Sequence, residues 1–213
     1  MKLTVFGATG RIGKPFVEQA LSVGHEITAL VRDPSRVTIA HRLLTVVQGD
    51  AADPAAVECA ICGADAVVSV MATSASQKVA RTRPLTRATR NVIDAMKKKR
   101  VKRLIVSSCK TAPQPGDKPD IRFKVLKVIV KLLTPESWND SVGFIHLVRA
   151  SDLDWTIVRI GRGEDVPPTG YVETGYVDKA TRMRTSRADA VAFMLDELLK
   201  SKHLRQAPVI FSR

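Results

Sequence analysis

The sequence predicts a single α/β domain, a doubly wound parallel sheet with helices on both faces. Short apolar segments alternate with amphipathic segments along the chain, a pattern typical of strands joined by crossover helices. A glycine-rich turn follows the first apolar segment. The length of 213 residues, 45% of them hydrophobic, suits one substantial core.

Strands are expected where short runs of apolar and β-branched residues occur. They lie near Leu3–Phe6, Glu26–Val31, Leu43–Gln48, Ala66–Met71, Leu104–Ser107, Trp155–Arg159 and Pro208–Phe211. Helices are expected where apolar residues recur at helical spacing. They lie near Ile12–Val23, Pro54–Cys62, Leu85–Lys98, Ile121–Leu133, Val142–Ser151 and Arg187–Lys200.

Two polar segments that contain proline and glycine interrupt this alternation, at 109–120 and 161–185. Each follows the carboxyl end of a predicted strand, which is where ligands bind in open α/β sheets. We therefore interpret both segments as parts of a substrate site. Plain surface connections are the alternative.

The first turn places glycines at Gly7, Gly10 and Gly13, between a strand and a helix. Gly7 permits a tight turn, Gly10 lets the backbone approach a pyrophosphate, and Gly13 lets the helix pack against the strand. The helix N-terminus offers free N–H groups to phosphates. The turn thus predicts a dinucleotide site built from Gly7, Thr9, Gly10, Arg11, Ile12 and Gly13. A turn without a ligand is the alternative.

Several segments together carry a family resemblance. They are the Gly7–Gly13 turn, Val31–Pro34, Val47–Asp53, Ser151–Arg159 and Thr185–Ala192. The chain resembles the atypical and extended short-chain dehydrogenase/reductase families, which include sugar-nucleotide epimerases, NmrA-like proteins and the biliverdin reductase B/flavin reductase group. The resemblance implies a Rossmann-like fold and an NAD(P) cofactor. It does not specify the substrate.

The cofactor choice is predicted from the end of the second strand. NAD enzymes place a carboxylate there, whereas this chain has Arg32, with Arg11 inside the glycine turn. Two guanidinium groups near the ribose would pair with a 2′-phosphate, so NADP is favoured over NAD. Asp33 precedes a proline and suits an Asx turn better than ribose binding. The resemblance places Asp50 against the adenine amino group.

The resemblance also implies residues for the nicotinamide end. Those after the fourth strand are Met71, Ala72 and Thr73, although Met71 suits the core equally well. Those ending the fifth strand are Ser107, Ser108 and Cys109. We expect Ser107 and Cys109 to contact the cofactor. Ser108 is the candidate that orients the cofactor amide or the acceptor.

The proton donor of the classical dehydrogenases, Tyr-x-x-x-Lys, is missing. The tyrosines are Tyr171 and Tyr176, and Gly175 follows four residues after Tyr171. His146 is a candidate acid near neutral pH, and a packed or solvated helix histidine is the alternative. A flavin or conjugated tetrapyrrole can take its proton from water. The sequence therefore predicts an NADPH-dependent reductase of a flavin, quinone or tetrapyrrole; the alternative is an NmrA-like redox sensor without turnover.

The formal net charge is +13. The densest basic run, 97–103, closes a predicted helix, where cations offset the helix dipole, so nucleic-acid binding is not expected. Lys124, Lys127 and Lys131 share one face of another predicted helix. An ordinary solvated face is one interpretation, and contact with an acidic substrate or a membrane surface is the alternative. Lys110 suits an acidic acceptor as well.

The cysteine count and the hydropathy pattern bear on location. Three cysteines suit a reducing compartment better than a disulfide framework. We interpret Cys59 and Cys62 as small buried hydrophobes rather than a redox pair. The chain has no long apolar stretch and no signal region before its first strand, so a cytoplasmic monomer or dimer without a membrane span is expected.

Overall fold

A computed structural model describes residues 1–73, 76–112, 114–178 and 184–212. The main sheet has eight strands in the order β3-β2-β1-β4-β5-β6-β10-β8. Their bounds are β1 Lys2–Phe6, β2 Glu26–Val31, β3 Leu44–Gln48, β4 Ala66–Ser69, β5 Arg103–Cys109, β6 Asp154–Ile160, β8 Val172–Gly175 and β10 Val209–Ser212. All neighbouring strands pair in parallel except β8, which runs antiparallel to β10. The predicted doubly wound α/β fold is confirmed.

Helices cover both faces of this sheet. Their bounds are α1 Gly13–Ser22, α2 Pro54–Ile61, α3 Gln77–Ala80, α4 Pro84–Lys99, α5 Ile121–Leu133, α6 Pro135–Ala150 and α7 Arg187–Lys200. Residues of α1 and α7 pack on one face, and residues of α2, α4 and α6 pack on the other. A short 3₁₀ turn spans Pro34–Arg36.

The strand order reverses at β1, which lies between β2 and β4. The connection from β1 to β2 passes through α1 on one face of the sheet, whereas the connections before and after β4 pass through α2 and α4 on the other face. Such a reversal opens a crevice at the carboxyl ends of the strands. The candidate site lies here.

The structure corrects several expected boundaries. Helix α6 begins at Pro135 rather than near Val142. Proline is favoured in the first helical turn, because the N–H group that it lacks would have no partner within the helix there. The segment 161–185 carries strands that periodicity did not indicate: β7 (Arg162–Glu164) pairs with β9 (Arg184–Ser186), and β8 joins the main sheet. Within this segment 179–183 lie outside the described residues, as does 113 within 109–120.

The interpretation of Cys59 and Cys62 as buried was wrong, since both thiols are exposed. The inward face of α2 is formed by Val57, Ala60 and Ile61. Cys59 points away from that face, and Cys62 is the residue that ends the helix.

Helix α5 packs inward less than its sequence suggests. Phe123 is its one buried residue, whereas Ile121, Val125 and Leu132 are exposed along with Lys124 and Lys131. The helix is therefore amphipathic, as expected, but its apolar stripe does not enter the core. Among the described residues, no helix combines the length and apolarity needed to cross a bilayer.

The basic run at the end of α4 is partly neutralised by carboxylates. Lys98 and Lys99 lie 2.6 and 2.9 Å from the two oxygens of Glu58, and Lys97 lies 3.9 Å from Asp152. These positions fit a solvated helix end with cations near the C-terminus.

The N-terminus of α4 is capped by a carboxylate from another helix. Asp140 of α6 is fully buried and accepts hydrogen bonds from the Leu85 and Thr86 amides at 3.1 and 2.8 Å. The Thr86 hydroxyl donates to the same carboxylate at 2.7 Å. A negative charge at this end also complements the helix dipole. Asp140 therefore fixes α6 against the helix that borders the site.

Replacing Asp140 by alanine should destabilise the fold. Asp140→Ala leaves buried amides without an acceptor, so the free energy of unfolding should fall by about 2 kcal/mol. Urea unfolding measures this change. Asp152→Ala is the control, because its carboxylate is 88% exposed, and it should change stability by less than about 0.5 kcal/mol. Equal effects of the two substitutions would contradict the capping role.

A candidate dinucleotide cleft at the carboxyl edge of the sheet

A cleft of about 670 Å³ opens where the strand order reverses. The glycine turn after β1 forms its floor, the end of β2 one side, and the residues after β4 the other. The sequence-predicted residues that line it are Gly7, Thr9, Gly10, Arg11, Ile12, Arg32, Asp50, Met71, Ala72, Thr73 and Ser107. Residues far apart in sequence thus meet in one concave surface of the size of a ligand site.

The glycine turn is shaped by close backbone contacts. Gly7 has a φ of +86°, and a Cβ there would lie 2.9 Å from the backbone of Val70. A Cβ on Gly13 would overlap the Gly7 carbonyl oxygen, so Gly13 serves packing and does not line the cleft. The Gly10 amide donates to that same oxygen at 2.9 Å. Gly10 itself faces the cleft, where a side chain would occupy ligand space.

Helix α1 presents its N-terminus to this cleft. No side chain caps it, and its first turn contains no acidic residue. Its positive end is thus not neutralised locally, which is the arrangement that binds phosphates at helix N-termini. The glycine cradle and the uncapped helix fit the diphosphate of a dinucleotide.

The β2 end of the cleft is rich in guanidinium groups, from Arg11, Arg32 and Arg36. Asp33 does not line the cleft; it accepts hydrogen bonds from the Ser35 hydroxyl and amide at 2.6 and 3.1 Å. These bonds hold the pKa of Asp33 below its usual value, with a smaller contribution from the charge of Arg36. The Asp33 carboxylate, which follows the end of β2, is therefore engaged in the expected turn.

Asp50 lies further along the same side of the cleft. One of its oxygens accepts a hydrogen bond from the Ala52 amide at 2.9 Å. The cap of α2 is supplied instead by Asp53, which accepts from the Ala55 amide at 2.9 Å. Asp50 is thus not needed as a helix cap, and its second oxygen accepts no hydrogen bond from the described residues.

The β4 and β5 end of the cleft is mainly apolar. Met71, Ala72, Val79 and Leu85 line it, and the hydroxyl-bearing residues there are Thr73 and Ser107. Among the described residues that line the cleft, none is a tyrosine, lysine, histidine or cysteine. This end therefore offers an apolar surface with hydroxyl groups and no side chain that commonly donates a proton.

Besides Gly13, three sequence-predicted residues lie outside the cleft lining. Ser108 points to the opposite face of β5 from Ser107, as alternation along a strand requires; its Oγ is buried and has no hydrogen-bond partner among the described residues. Cys109 is exposed and accepts a hydrogen bond from the Thr111 hydroxyl at 3.3 Å. His146 is exposed on α6 and lines a separate pocket with Gln114.

The two interrupting segments are tied together by one carboxylate. The Asp117 carboxylate accepts hydrogen bonds from both terminal nitrogens of Arg159, at 2.7 and 2.8 Å, and from the Val177 amide at 3.0 Å. The Lys118 amide donates to the Val177 carbonyl at 2.8 Å. Arg159 is almost fully buried at the end of β6. The described parts of 109–120 and 161–185 thus meet beside the ends of β5 and β6, but none of them lines the 670 Å³ cleft.

Lys110, which suits an acidic acceptor by sequence, is buried instead. Its ammonium group lies 5.9 Å from the centre of the Phe211 ring. Burial, and secondarily the charge of Arg159, lowers the pKa of Lys110 to about 8. Lys110 follows β5, whereas Phe211 lies in β10 and Arg159 in β6, so periodicity along the sequence gave no signal for this environment.

The parallel sheet and the glycine-lined cleft define a nucleotide-binding α/β domain. More particularly, the chain belongs to the NAD(P)H-binding family, whose model matches residues 7–201. The predicted family resemblance and the NAD(P) cofactor class are thereby confirmed.

Similar proteins agree with this assignment. The chain is 32% identical over 188 residues to a 3-diazoavenalumate denitrifying reductase from Streptomyces, covering 82% of this chain and 60% of that protein. It therefore spans less than two thirds of that relative's length. The anaerobillin reductase ChuY from Escherichia coli O157:H7 has a TM-score of 0.78 at 20% identity, covering 100% of this chain and 97% of the other.

A second similar structure contains the cofactor. A wide-type short-chain dehydrogenase/reductase from Veillonella parvula in complex with NADP has a TM-score of 0.76 at 19% identity. The match covers 99% of this chain and 94% of that one. At these identities the two structures show the shared fold.

The pH dependence of stability tests the buried position of Lys110. Its pKa is about 8 in the fold and about 10.4 in an unfolded chain, so between these values the unfolded chain binds more protons and stability rises with pH. The melting temperature of the wild type should therefore rise relative to Lys110→Met from about pH 7.5 to about pH 10. The control is Lys102→Met, which removes an exposed lysine: the difference in melting temperature between it and the wild type should not change with pH. If the melting temperatures of the wild type and Lys110→Met followed parallel curves against pH, the buried position of Lys110 would be contradicted.

Proposed function

We propose that the protein is an NADPH-dependent reductase of a small organic acceptor of the flavin, quinone or tetrapyrrole type. The observation that carries the proposal is the apolar end of the cleft around Met71, Thr73 and Ser107, where no described lining residue is a tyrosine, lysine or histidine. Bound NADPH supplies a hydride. Its transfer requires mainly that the nicotinamide be held against an electrophile, and a conjugated ring can then take its proton from water.

The cleft residues divide into roles along the dinucleotide. We assign the pyrophosphate to the turn formed by Gly7, Thr9, Gly10 and Ile12 at the start of α1. Gly13 lets α1 pack closely against this turn. Arg11, Arg32 and Arg36 would pair with a 2′-phosphate, since guanidinium groups bind phosphate through paired hydrogen bonds. Asp50 would accept from the adenine amino group.

At the nicotinamide end we assign Met71, Ala72, Thr73 and Ser107 to the ribose and the ring. Ser108, next to Ser107 on β5, remains the sequence-derived candidate for orienting the acceptor, although its hydroxyl is buried on the opposite face of the strand from the cleft. The Ser108→Ala variant tests this role directly. Cys109, exposed at the end of β5, would lie at the rim.

The relatives support reduction as the class of reaction. Both the Streptomyces protein and ChuY are reductases by name. The former acts by name on a diazo compound, so a diazo acid belongs among the acceptors to be tested. The hydrogen bonds of Asp117 hold the described parts of 109–120 and 161–185 together, which supports a shared acceptor site beside the cleft.

Cofactor preference tests the guanidinium cluster. The wild type should bind NADPH at least about tenfold more tightly than NADH, about 1.4 kcal/mol. Arg32→Glu should narrow or reverse this ratio, because a carboxylate repels the 2′-phosphate. Arg90→Glu introduces the same charge change at an exposed position outside the cleft lining and should leave the ratio unchanged. Equal dissociation constants for the two cofactors in the wild type would refute the assignment.

Turnover is measured as NADPH oxidation with FMN, simple quinones, biliverdin and a diazo acid. At least one acceptor should be reduced. His146→Ala should keep activity within about tenfold, since a general acid commonly contributes more. Ser108→Ala should cost more than that, because misplacement near the hydride path is expensive. Tight NADPH binding without oxidation by any acceptor would contradict the reductase and favour the redox sensor.

A further inference from the structure

Helix α5 carries a continuous apolar stripe on its solvent side. Ile121, Val125, Val128 and Leu132 follow one another at spacings of four, three and four, which places them on one helical face. Their exposed fractions are 71, 49, 55 and 74%. Ile129 and Leu133 widen the exposed surface, at 46 and 73%. Isolated exposed apolar residues are ordinary, but a contiguous stripe on one helix indicates a binding surface.

Basic residues border this stripe on both sides. Lys124 and Lys131 lie along one edge and Arg122 along the other, and all three are exposed. The helix sequence, IRFKVLKVIVKLL, contains no acidic residue. Lys118, just before the helix, is exposed as well. The surface thus combines apolar area with positive charge and carries no carboxylate on the helix itself.

We propose that α5 docks this protein on the surface of a lipid bilayer that contains anionic lipids. A helix with an apolar stripe and lysines at its edges lies in the plane of the interface, its stripe among the upper acyl chains and its cations at the phosphates. The long lysine side chains reach the headgroups while their stems cover apolar surface. Each cation near an anionic surface adds to the attraction.

The charge distribution favours a bilayer over a second copy of the chain. The protein carries a formal net charge of +13. Packing two α5 stripes together would bring Arg122, Lys124 and Lys131 of both copies close to one another, and like charges in such a contact are unfavourable. An anionic membrane surface complements the same groups.

The experiment is co-sedimentation of the full chain with vesicles of phosphatidylglycerol and phosphatidylcholine, compared with vesicles of phosphatidylcholine alone. The wild type should bind the anionic vesicles, and salt should weaken the binding. The double variant Val128→Glu, Leu132→Glu should lose it. The matched control is Val23→Glu, Leu199→Glu, which makes the same changes at residues that are 63 and 66% exposed elsewhere and should retain binding.

A second pair of variants tests the charges. Lys124→Glu with Lys131→Glu should weaken binding to anionic vesicles at least about tenfold. Lys102→Glu with Lys202→Glu, at exposed lysines outside α5, should stay within about threefold of the wild type. Circular dichroism confirms that each variant is folded.

Three results would overturn the proposal: no binding to anionic vesicles, equal binding to both kinds of vesicle, or a dimeric wild type that Leu132→Glu converts to a monomer. The last result would assign the stripe to a second copy.

Docking on a membrane does not rest on the proposed reductase activity. Because α5 contributes nothing to the cleft lining, NADPH binding by the Val128→Glu, Leu132→Glu variant separates a failure of docking from a failure of the site.

Discussion

The close approach of Gly13 to the Gly7 carbonyl is the contact on which the site depends. No side chain fits between them, so β1, the turn and α1 can be held together only with glycine at this point. Gly7 makes a similarly close approach to the backbone after β4. These contacts place the N-terminus of α1 at the mouth of the crevice that the strand order opens. The cleft is therefore a consequence of backbone packing before any of its side chains acts.

The charges around the cleft follow a consistent pattern. Guanidinium groups and an uncapped helix N-terminus face it, whereas the Asp33 carboxylate is held by Ser35. Asp50 remains as the acidic residue in the lining. Such a surface attracts a phosphorylated ligand at one end. At the other end the lining becomes apolar, which suits a nicotinamide ring and the conjugated ring of an acceptor. The two ends thus support one consistent orientation of a dinucleotide.

The sequence predicted the features that depend on local pattern. Strand positions, the glycine turn and the Asx turn at Asp33 depend on consecutive residues, and most cleft residues follow directly from strand ends. What it missed depends on contacts between distant segments. Lys110 is buried close to Phe211 of β10, and Asp117 binds Arg159 and Val177.

The same reason explains the errors in solvent exposure. Periodicity shows that α5 has an apolar face, but not whether the rest of the chain covers that face. The neighbouring elements pack against Phe123 instead. Likewise the face of α2 that meets the core is chosen by its position on the sheet, and this leaves Cys59 exposed. The sequence also groups Ser107 and Ser108 at the end of one strand, whereas the pleat of β5 sends them to opposite faces.

The central claim, that the glycine turn binds a dinucleotide, is tested most directly by calorimetric titration of NADPH into the wild type and into Gly10→Val. A Cβ at Gly10 would lie 3.2 Å from the Gly7 carbonyl oxygen, which small shifts can relieve, so the fold should persist. The account predicts a near-native circular dichroism spectrum and loss of NADPH binding, because the valine occupies the pyrophosphate position. Unchanged NADPH affinity in a folded Gly10→Val variant would contradict it and leave the turn a purely structural element.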